Sequence, residues 1–302
     1  MIAITPELRL LRYFVDVAEE LHFGRAAGRL RIAQPSLSRA IRELERLLET
    51  ELFTRTKRTV RLTDAGHALL SEAPRALAEV ERACEQARRV GRGEAGELTV
   101  AFLPSAATEL VPAIVRASRG VYPGVRLRLL ELLDDRQLAG LREGALDIGV
   151  LRSRRQSDEL AFEPLLHERL TVAVARDHRL ALRKRIRYAD LRGEALIMWP
   201  RAEAAETFDT IIGACRHAGF SPQVIQEASS AHTLIGLAAA GVGVAVMASA
   251  FSTHTGADVA FIPIIDSELV LYLAWRPHDP SPARDNLLAV ARGVATSLSA
   301  VR

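Results

Sequence analysis

The chain has 302 residues, 49% hydrophobic and 25% charged, long enough for two or three soluble domains with cores of their own. No apolar run approaches the ~20 residues that span a bilayer, and the start, Met1-Ile-Ala-Ile-Thr-Pro-Glu7, lacks the basic and long apolar stretches of an export signal, so a cytoplasmic protein is expected. Two distant cysteines, Cys84 and Cys215, and eight histidines without HxxxH or HExxH spacing argue against a disulfide framework or metal chemistry, and no cofactor is expected.

The net charge of +3 is unevenly spread. Residues 1–63 hold 12 Lys/Arg against 8 Asp/Glu, residues 64–92 hold 5 against 5, and residues 93–302 hold 23 against 24. Excess positive charge confined to the N-terminal fifth suits a segment that faces phosphate.

Thr5-Pro6 predicts the start of a first helix, with Thr5 as cap and Pro6 in the first turn. Leu8, Leu11, Phe14, Val15, Ala18 and Leu21 then recur at helical spacing as its apolar face. A second, short helix begins near Phe23 with Gly24 as a modest cap, and Ala26, Ala27 and Leu30 are its inward positions. After a tight turn at Arg31-Ile32-Ala33, Pro35 suits the start of a third helix because its missing N–H costs nothing there. Leu37, Ile41, Leu44 and Leu48 fall on one side of that helix, and Pro35, Ser38, Arg39 and Arg42 on the other. Arginine can grip guanine through two hydrogen bonds, serine can donate or accept, and Gln34 at the helix start can pair with adenine. The unpaired N–H groups of such a helix end also attract phosphate. An ordinary amphipathic helix is the alternative, but the tight helix-turn-helix spacing and the basic tract that follows favour a DNA-reading element.

That tract, residues 52–63, predicts a β-hairpin with Arg55, Lys57 and Arg58 at or near its tip, a wing beside the reading helix. Thr63 can cap a further helix over 64–92, ~40 Å long. Its apolar seam of Leu70, Ala73, Leu77, Val80, Cys84 and Ala87 has coiled-coil spacing. The seam needs a cover: a second copy of the chain, or alternatively the chain's own C-terminal part. Pro74 should bend this helix, Cys84 is expected to pack in the seam, and Gly91, Gly93 and Gly96 read as a hinge.

From Leu98 strands and helices alternate. Residues 98–103, 125–131 and 146–151 are strand-like and 108–119 and 134–143 helical, a βαβαβ series that implies an open, mostly parallel sheet. A second series has strands at 170–175, 196–199, 223–227 and 242–247, with helices at 208–218 and 234–240. The segment 269–275 and a final helix would return to the first series. Two such lobes leave a cleft at the carboxyl ends of their strands, where small ligands bind. Gly241-Val-Gly243 leaves a helix for a strand, the wrong order for a dinucleotide loop, and reads as a helix stop. Ser105 has no GxSxG elbow around it and no acid–base pair accompanies it, so an enzyme is not expected.

Together these features resemble the LysR-type transcriptional regulators of bacteria over nearly the whole chain. The motifs are Leu11-Arg-Tyr-Phe-Val-Asp-Val-Ala-Glu-Glu20, Ala26-Ala27, Ala33-Gln-Pro-Ser-Leu-Ser-Arg39, Leu44-Glu45, Leu52-Phe-Thr-Arg55 and Leu62-Thr-Asp-Ala-Gly66. Tyr122-Pro123, Gly144-Ala-Leu-Asp-Ile-Gly149 and Gly241-Val-Gly243 match more loosely. The pattern Leu21-His-Phe-Gly-Arg-Ala-Ala27 resembles the branch that controls breakdown of aromatic compounds such as benzoate, catechol and chlorocatechol.

The resemblance implies a mainly-α winged helix-turn-helix domain over 1–63 and a dimerising linker helix over 64–92. An α/β effector domain of two lobes, similar to periplasmic binding proteins, would fill 93–302, with lobe I at about 97–165 and 267–302 and lobe II at about 166–266. Its implied partners are double-stranded promoter DNA, a small organic effector and further copies of itself, usually as a homotetramer, with no membrane. On matching positions Gln34, Pro35, Ser38 and Arg39 would meet the major groove and Arg55 would act from the wing, while Arg42, Lys57 and Arg58 join the DNA-binding candidates from the helix and hairpin patterns above. Ser105 matches a serine that holds an effector carboxylate, Pro200 and Arg201 match the facing loop, and Ala231 matches a lining position.

One departure stands out. Asp134 occupies a position where that branch commonly presents threonine to the effector carboxylate, and an ionised aspartate would repel such a ligand. Either the effector is not the dicarboxylate muconate, or Asp134 turns away and Arg152 or Arg201 supplies positive charge. Two other function classes remain, a solute-binding module with an oligomerising N-terminus and an α/β enzyme. The Gln34–Arg39 helix argues against the first, and the missing catalytic constellation against the second.

Overall fold

The computed structural model describes residues 6–56, 59–154, 157–253 and 258–301. The chain divides between Arg88 and Arg89 into two compact units. The first contains α1 (Leu8–Glu20), α2 (Phe23–Leu30), α3 (Gln34–Leu47), a hairpin of β1 (Phe53–Arg55) and β2 (Val60–Leu62), and most of α4 (Asp64–Gly91).

Phe14, Val17, Ala26, Leu37, Ile41 and Leu44 are fully buried and form the centre of this unit. Phe53 at the start of the hairpin joins them, its ring centroid 5.4 Å from that of Phe14 and 5.9 Å from that of Phe23. The wing is therefore an extension of the helical core. Local starts differ from expectation. Helix α1 begins at Leu8 behind Glu7, two residues later than Pro6 suggested, while Thr5 lies outside the described residues. Its buried face is Leu10, Phe14, Val17 and Ala18, and Leu8 and Leu21 are exposed. Leu21 sits outside the helix in the left-handed region at φ 46°, where the chain turns toward α2. The cap of α2 is His22, whose Nδ1 accepts the Arg25 N–H at 3.2 Å, not Gly24; a ring nitrogen can do what glycine cannot.

Thr63 does cap α4, its hydroxyl accepting from the Gly66 N–H at 3.0 Å and donating to the Glu51 carbonyl at 2.7 Å. The helix continues through Pro74. In this single chain Ala73 is buried, Leu77 and Val80 are half-buried, and Cys84, Ala87 and Val90 are exposed.

The second unit is built on two five-stranded sheets. The first has the order β4-β3-β5-β12-β6, where β3 is Ala95–Phe102, β4 Gly124–Glu131, β5 Ile148–Leu151, β6 Ala161–Glu168 and β12 Leu269–Trp275. Strand β3 runs parallel to β4 and β5, whereas β12 is antiparallel to both β5 and β6. The second has the order β11-β7-β10-β8-β9, where β7 is Leu170–Ala175, β8 Ala195–Met198, β9 Gln223–Glu227, β10 Val244–Ala248 and β11 Val259–Pro263. Here β8 is parallel to β9 and β10, and β7 is antiparallel to β10 and β11.

Both sheets are thus mixed rather than mostly parallel. The departure lies in β12 and β7, each antiparallel to both of its neighbours; two further strands, β6 and β11, flank them and have no counterpart in the sequence analysis. Only Arg169 separates β6 from β7, so the chain passes directly from one sheet to the other, and β12 brings it back after β11. Helices α5 (Leu110–Val121), α6 (Asp134–Arg142) and α9 (Pro282–Val301) accompany the first sheet, and α7 (Ala205–His217) and α8 (Ala231–Ala239) the second. Strands β7 and β10 are buried at every position, which is why they read as apolar runs, broken only by Thr171 in β7. Gly241, at φ 73°, ends α8 as a helix stop. Cys215 is buried on α7 and burial pushes its thiol up to about 11, which leaves it unreactive at neutral pH.

Gly66 lies in the first turn of α4 against the hairpin, where an added Cβ would overlap the Leu52 carbonyl oxygen. Gly66→Ala should destabilise the first unit by about 1–3 kcal/mol, as overpacking does, measured by urea unfolding. An unchanged midpoint would show that α4 and the hairpin give way freely.

Candidate functional site

The first candidate surface is α3. Leu37, Ile41 and Leu44 are each 0% exposed and prevent the helix from rolling. Gln34, Pro35, Arg39 and Arg42 consequently face solvent, with Ser38 half-buried between them. Pro35 is in the first turn and Ala33, the cap residue, offers no capping side chain, so this end suits an anion. Among the described residues Arg39 makes no ion pair, and Arg42 reaches only the Ser38 carbonyl, at 3.2 Å. The positive charge of this face is uncompensated.

Gln34 and Ser38 share a concave surface with His22, Gly24 and the wing residues Arg55, Thr56, Thr59 and Arg61. The wing is fixed to α3 by Glu45, a residue within the Leu44-Glu45 motif to which the sequence reading gave no role. Glu45 Oε1 accepts the backbone N–H groups of Leu52 at 3.1 Å and Phe53 at 3.2 Å, and Oε2 pairs with Arg55 Nη2 at 2.6 Å. The Arg55 guanidinium also lies 4.9 Å over the Phe23 ring. Arg55 is thus held against the helices, with about a third of its side chain exposed. Arg61, paired across the hairpin with Thr54, is a second exposed cation of the described wing. Lys57 and Arg58 lie outside the described residues.

The second candidate surface is a narrow cleft, partly open to solvent, between the two sheets of the second unit. Its walls include Leu103, Pro104 and Ser105 after β3, Asp134 at the start of α6 and Arg152 after β5. From the second sheet come Trp199, Phe251 and the residues that open α7. Trp199 and Phe251 stack with ring centroids 5.6 Å apart, an apolar wall suited to a flat ligand.

Ser105 is buried, and its hydroxyl accepts from Arg152 Nη2 at 2.9 Å. The same nitrogen pairs at 2.5 Å with Glu168, at the end of β6. Both side chains of this pair are at least nine-tenths buried, and Arg152 Nε has no partner among the described residues. Asp134 remains in the cleft wall, and its two oxygens accept the N–H groups of Arg152 at 3.1 Å and Ser153 at 2.9 Å. These bonds explain why a carboxylate is tolerated there: it clamps the end of β5 to the start of α6.

The other expected effector residues are placed differently. Arg201 is exposed and forms two 2.7 Å bonds with Asp209, which hold the Asp209 carboxyl below the usual range. Neither Arg201 nor Pro200 lines the cleft. Pro200 instead accepts the N–H of Glu203 at 2.9 Å, shaping the turn before α7. Ala231 lines an adjoining recess that shares Pro104, Trp199 and Phe251 with the main cleft. The cleft also carries Glu203 and Glu206, which the sequence reading did not mark; nothing in their spacing distinguishes them from surface carboxylates.

A winged helix-turn-helix with an uncompensated cationic face, continuous with a two-sheet ligand-binding fold, defines a DNA-binding transcriptional regulator with an effector domain. Residues 8–67 match the family model described as bacterial regulatory helix-turn-helix protein, lysR family, and residues 91–296 match the LysR substrate binding domain. The chain is 38% identical over 284 residues to the uncharacterized HTH-type transcriptional regulator YnfL of Escherichia coli K12, covering 93% of this chain and 96% of that one. It is 38% identical over 278 residues to the HTH-type transcriptional regulator AlsR of Bacillus subtilis 168, with 91% and 92% covered. The crystal structure of CbnR, a LysR family transcriptional regulator, superposes with a TM-score of 0.87 at 29% identity, covering 95% of this chain and all of that one. Full-length CbnR complexed with its target DNA gives 0.84 at 28% identity, with 96% and 99% covered. The chain belongs to the LysR family of transcriptional regulators. Among its described residues no helix is long and apolar enough to cross a membrane.

Glu45→Ala should free the wing. Removing the acceptor from two backbone donors costs about 1–3 kcal/mol, so hydrogen exchange at the Leu52 and Phe53 amides should quicken by roughly 10- to 100-fold. Unchanged protection at both would mean that the aromatic contacts alone hold the hairpin.

Proposed function

We propose that this regulator reads promoter DNA with α3 in the major groove, through Gln34, Pro35, Ser38 and Arg39. Arg42 would meet flanking phosphates, with Arg55, Lys57 and Arg58 acting from the wing. The observation that carries this reading is the free cationic face of α3 opposite its fully buried Leu37-Ile41-Leu44 stripe. Residues 1–63 act as the DNA-binding domain, 64–92 as a linker and 93–302 as the effector domain. Copies pair through α4, whose Cys84, Ala87 and Val90 are exposed in a single chain, and two pairs assemble as a tetramer. The protein works in the cytoplasm, where bacterial promoters lie.

The effector is a small organic molecule from aromatic catabolism, in keeping with the Leu21–Ala27 pattern. Its ring lies along the Trp199–Phe251 wall and its polar group meets Ser105 and Arg152, with Asp134 and Ala231 bounding the space. Binding alters transcription only through a difference in affinity between two arrangements of the assembly. The role proposed here is regulatory and not catalytic, in keeping with a Ser105 hydroxyl that accepts from Arg152, a group unable to take its proton.

Two measurements test this. Arg39→Ala should weaken binding to the DNA upstream of the protein's own gene by about 5- to 150-fold, the span of a lost base contact, while the chain stays folded and oligomeric. A gel shift unchanged by the substitution would mean that the wrong helix has been put in the groove. In calorimetry, muconate should bind the wild-type chain weakly, and Asp134→Thr should strengthen it about tenfold, one pKa unit of like-charge repulsion. Tight binding unaltered by Asp134→Thr removes the charge argument.

A further inference from the structure

The second unit carries a cationic segment for which the effector cleft has no use. Residues 176–187 hold six Lys/Arg and one Asp, whereas the rest of 93–302 holds 17 Lys/Arg against 23 Asp/Glu. The fold forces these charges outward. Leu180, Ile186 and Tyr188 are buried in the second core, and Ile186 forms a parallel bridge with Ile264. Residues 182–185, between these anchors, stand out into solvent. Leu182 is 89% exposed, and Arg183, Lys184 and Arg185 follow it, all exposed. Arg179 is neutralised by Glu194 at 2.6 Å. Among the described residues none of Arg183, Lys184 and Arg185 has an ion pair or side-chain hydrogen bond. Three adjacent cations thus stand unneutralised on an otherwise acidic unit.

We propose that Arg183-Lys184-Arg185 is a second phosphate-binding surface, which grips duplex DNA beyond the bases read by α3. It rests on the DNA-binding activity described above and adds to it a contact made by the effector domain. The chemistry favours a nucleic acid over a protein. Stable protein partners bury about 800 Å² a side around an apolar centre poor in lysine, and this ridge offers one leucine. A phosphate backbone needs only accessible cations, each releasing condensed counterions. The chain already holds such a polyanion, so the ridge meets phosphate at high local concentration.

The test uses the full chain and a random-sequence duplex of ~60 base pairs, with fluorescence anisotropy over a sodium chloride series. Replacing Arg183, Lys184 and Arg185 by alanine should flatten the slope of log K against log salt by roughly 2–3 per chain engaged, and lower affinity at low salt about tenfold or more. A matched variant, Arg136→Ala with Arg142→Ala and Arg216→Ala, removes three exposed charges of the same unit and should leave the slope alone. Equal slopes for the ridge variant and wild type overturn the proposal, as does an equal loss in both variants. A ridge variant that binds DNA normally but fails to support transcription in vitro assigns the surface to a protein and also overturns it. A wild-type chain that binds no duplex would sink the DNA-binding reading itself, and the ridge with it.

Discussion

Three side chains, Leu37, Ile41 and Leu44, give α3 its orientation, and the cationic face depends on them. Each is wholly withdrawn from water, which at about 1.5–3 kcal/mol per large aliphatic side chain makes rotation of the helix prohibitive. Because helical spacing is fixed at 3.6 residues per turn, burying that stripe determines where Pro35, Arg39 and Arg42 point. Glu45 extends the same constraint to the wing, since one carboxylate satisfies two backbone donors and one guanidinium. The cationic face is thus a consequence of apolar packing, with electrostatics acting on a surface already formed.

The cleft of the second unit follows a different logic. Its polar groups bind one another: Ser105 to Arg152, Arg152 to Glu168, and the backbone after β5 to Asp134. A buried ion pair of this kind is costly to break by removing one partner, typically by 3–5 kcal/mol, so it ties β5 to the strand that leaves for the second sheet. A ligand that takes up the Arg152 guanidinium must compete with Glu168, and that competition acts where the chain crosses between sheets.

Much of this was legible in the sequence, for identifiable reasons. Helix α3 was readable because Pro35 marks its start and the Leu37-Ile41-Leu44 stripe its phase. Strands β7 and β10 were readable because a strand buried on both faces is apolar almost throughout. Strand β6 was not, since Glu163, Pro164, His167 and Glu168 interrupt it, and its pairing with β12 depends on residues a hundred positions away. The sequence also marked Ser105 and Asp134, which meet in the cleft wall. It could not show that Arg201 is taken by Asp209, or that Glu45 supports the wing, because an acidic residue on a helix reads the same whether it is solvated or bonded to a distant backbone.

The central claim is that one amphipathic helix presents a DNA-reading face. The direct measurement is a competition assay at low ionic strength, in which the intact protein chooses between the duplex upstream of its own gene and random-sequence duplex of equal length. A specific reader should prefer its site by roughly 10³-fold or more. Equal affinity for the two duplexes would contradict the account, because phosphate attraction alone would then explain all of the binding.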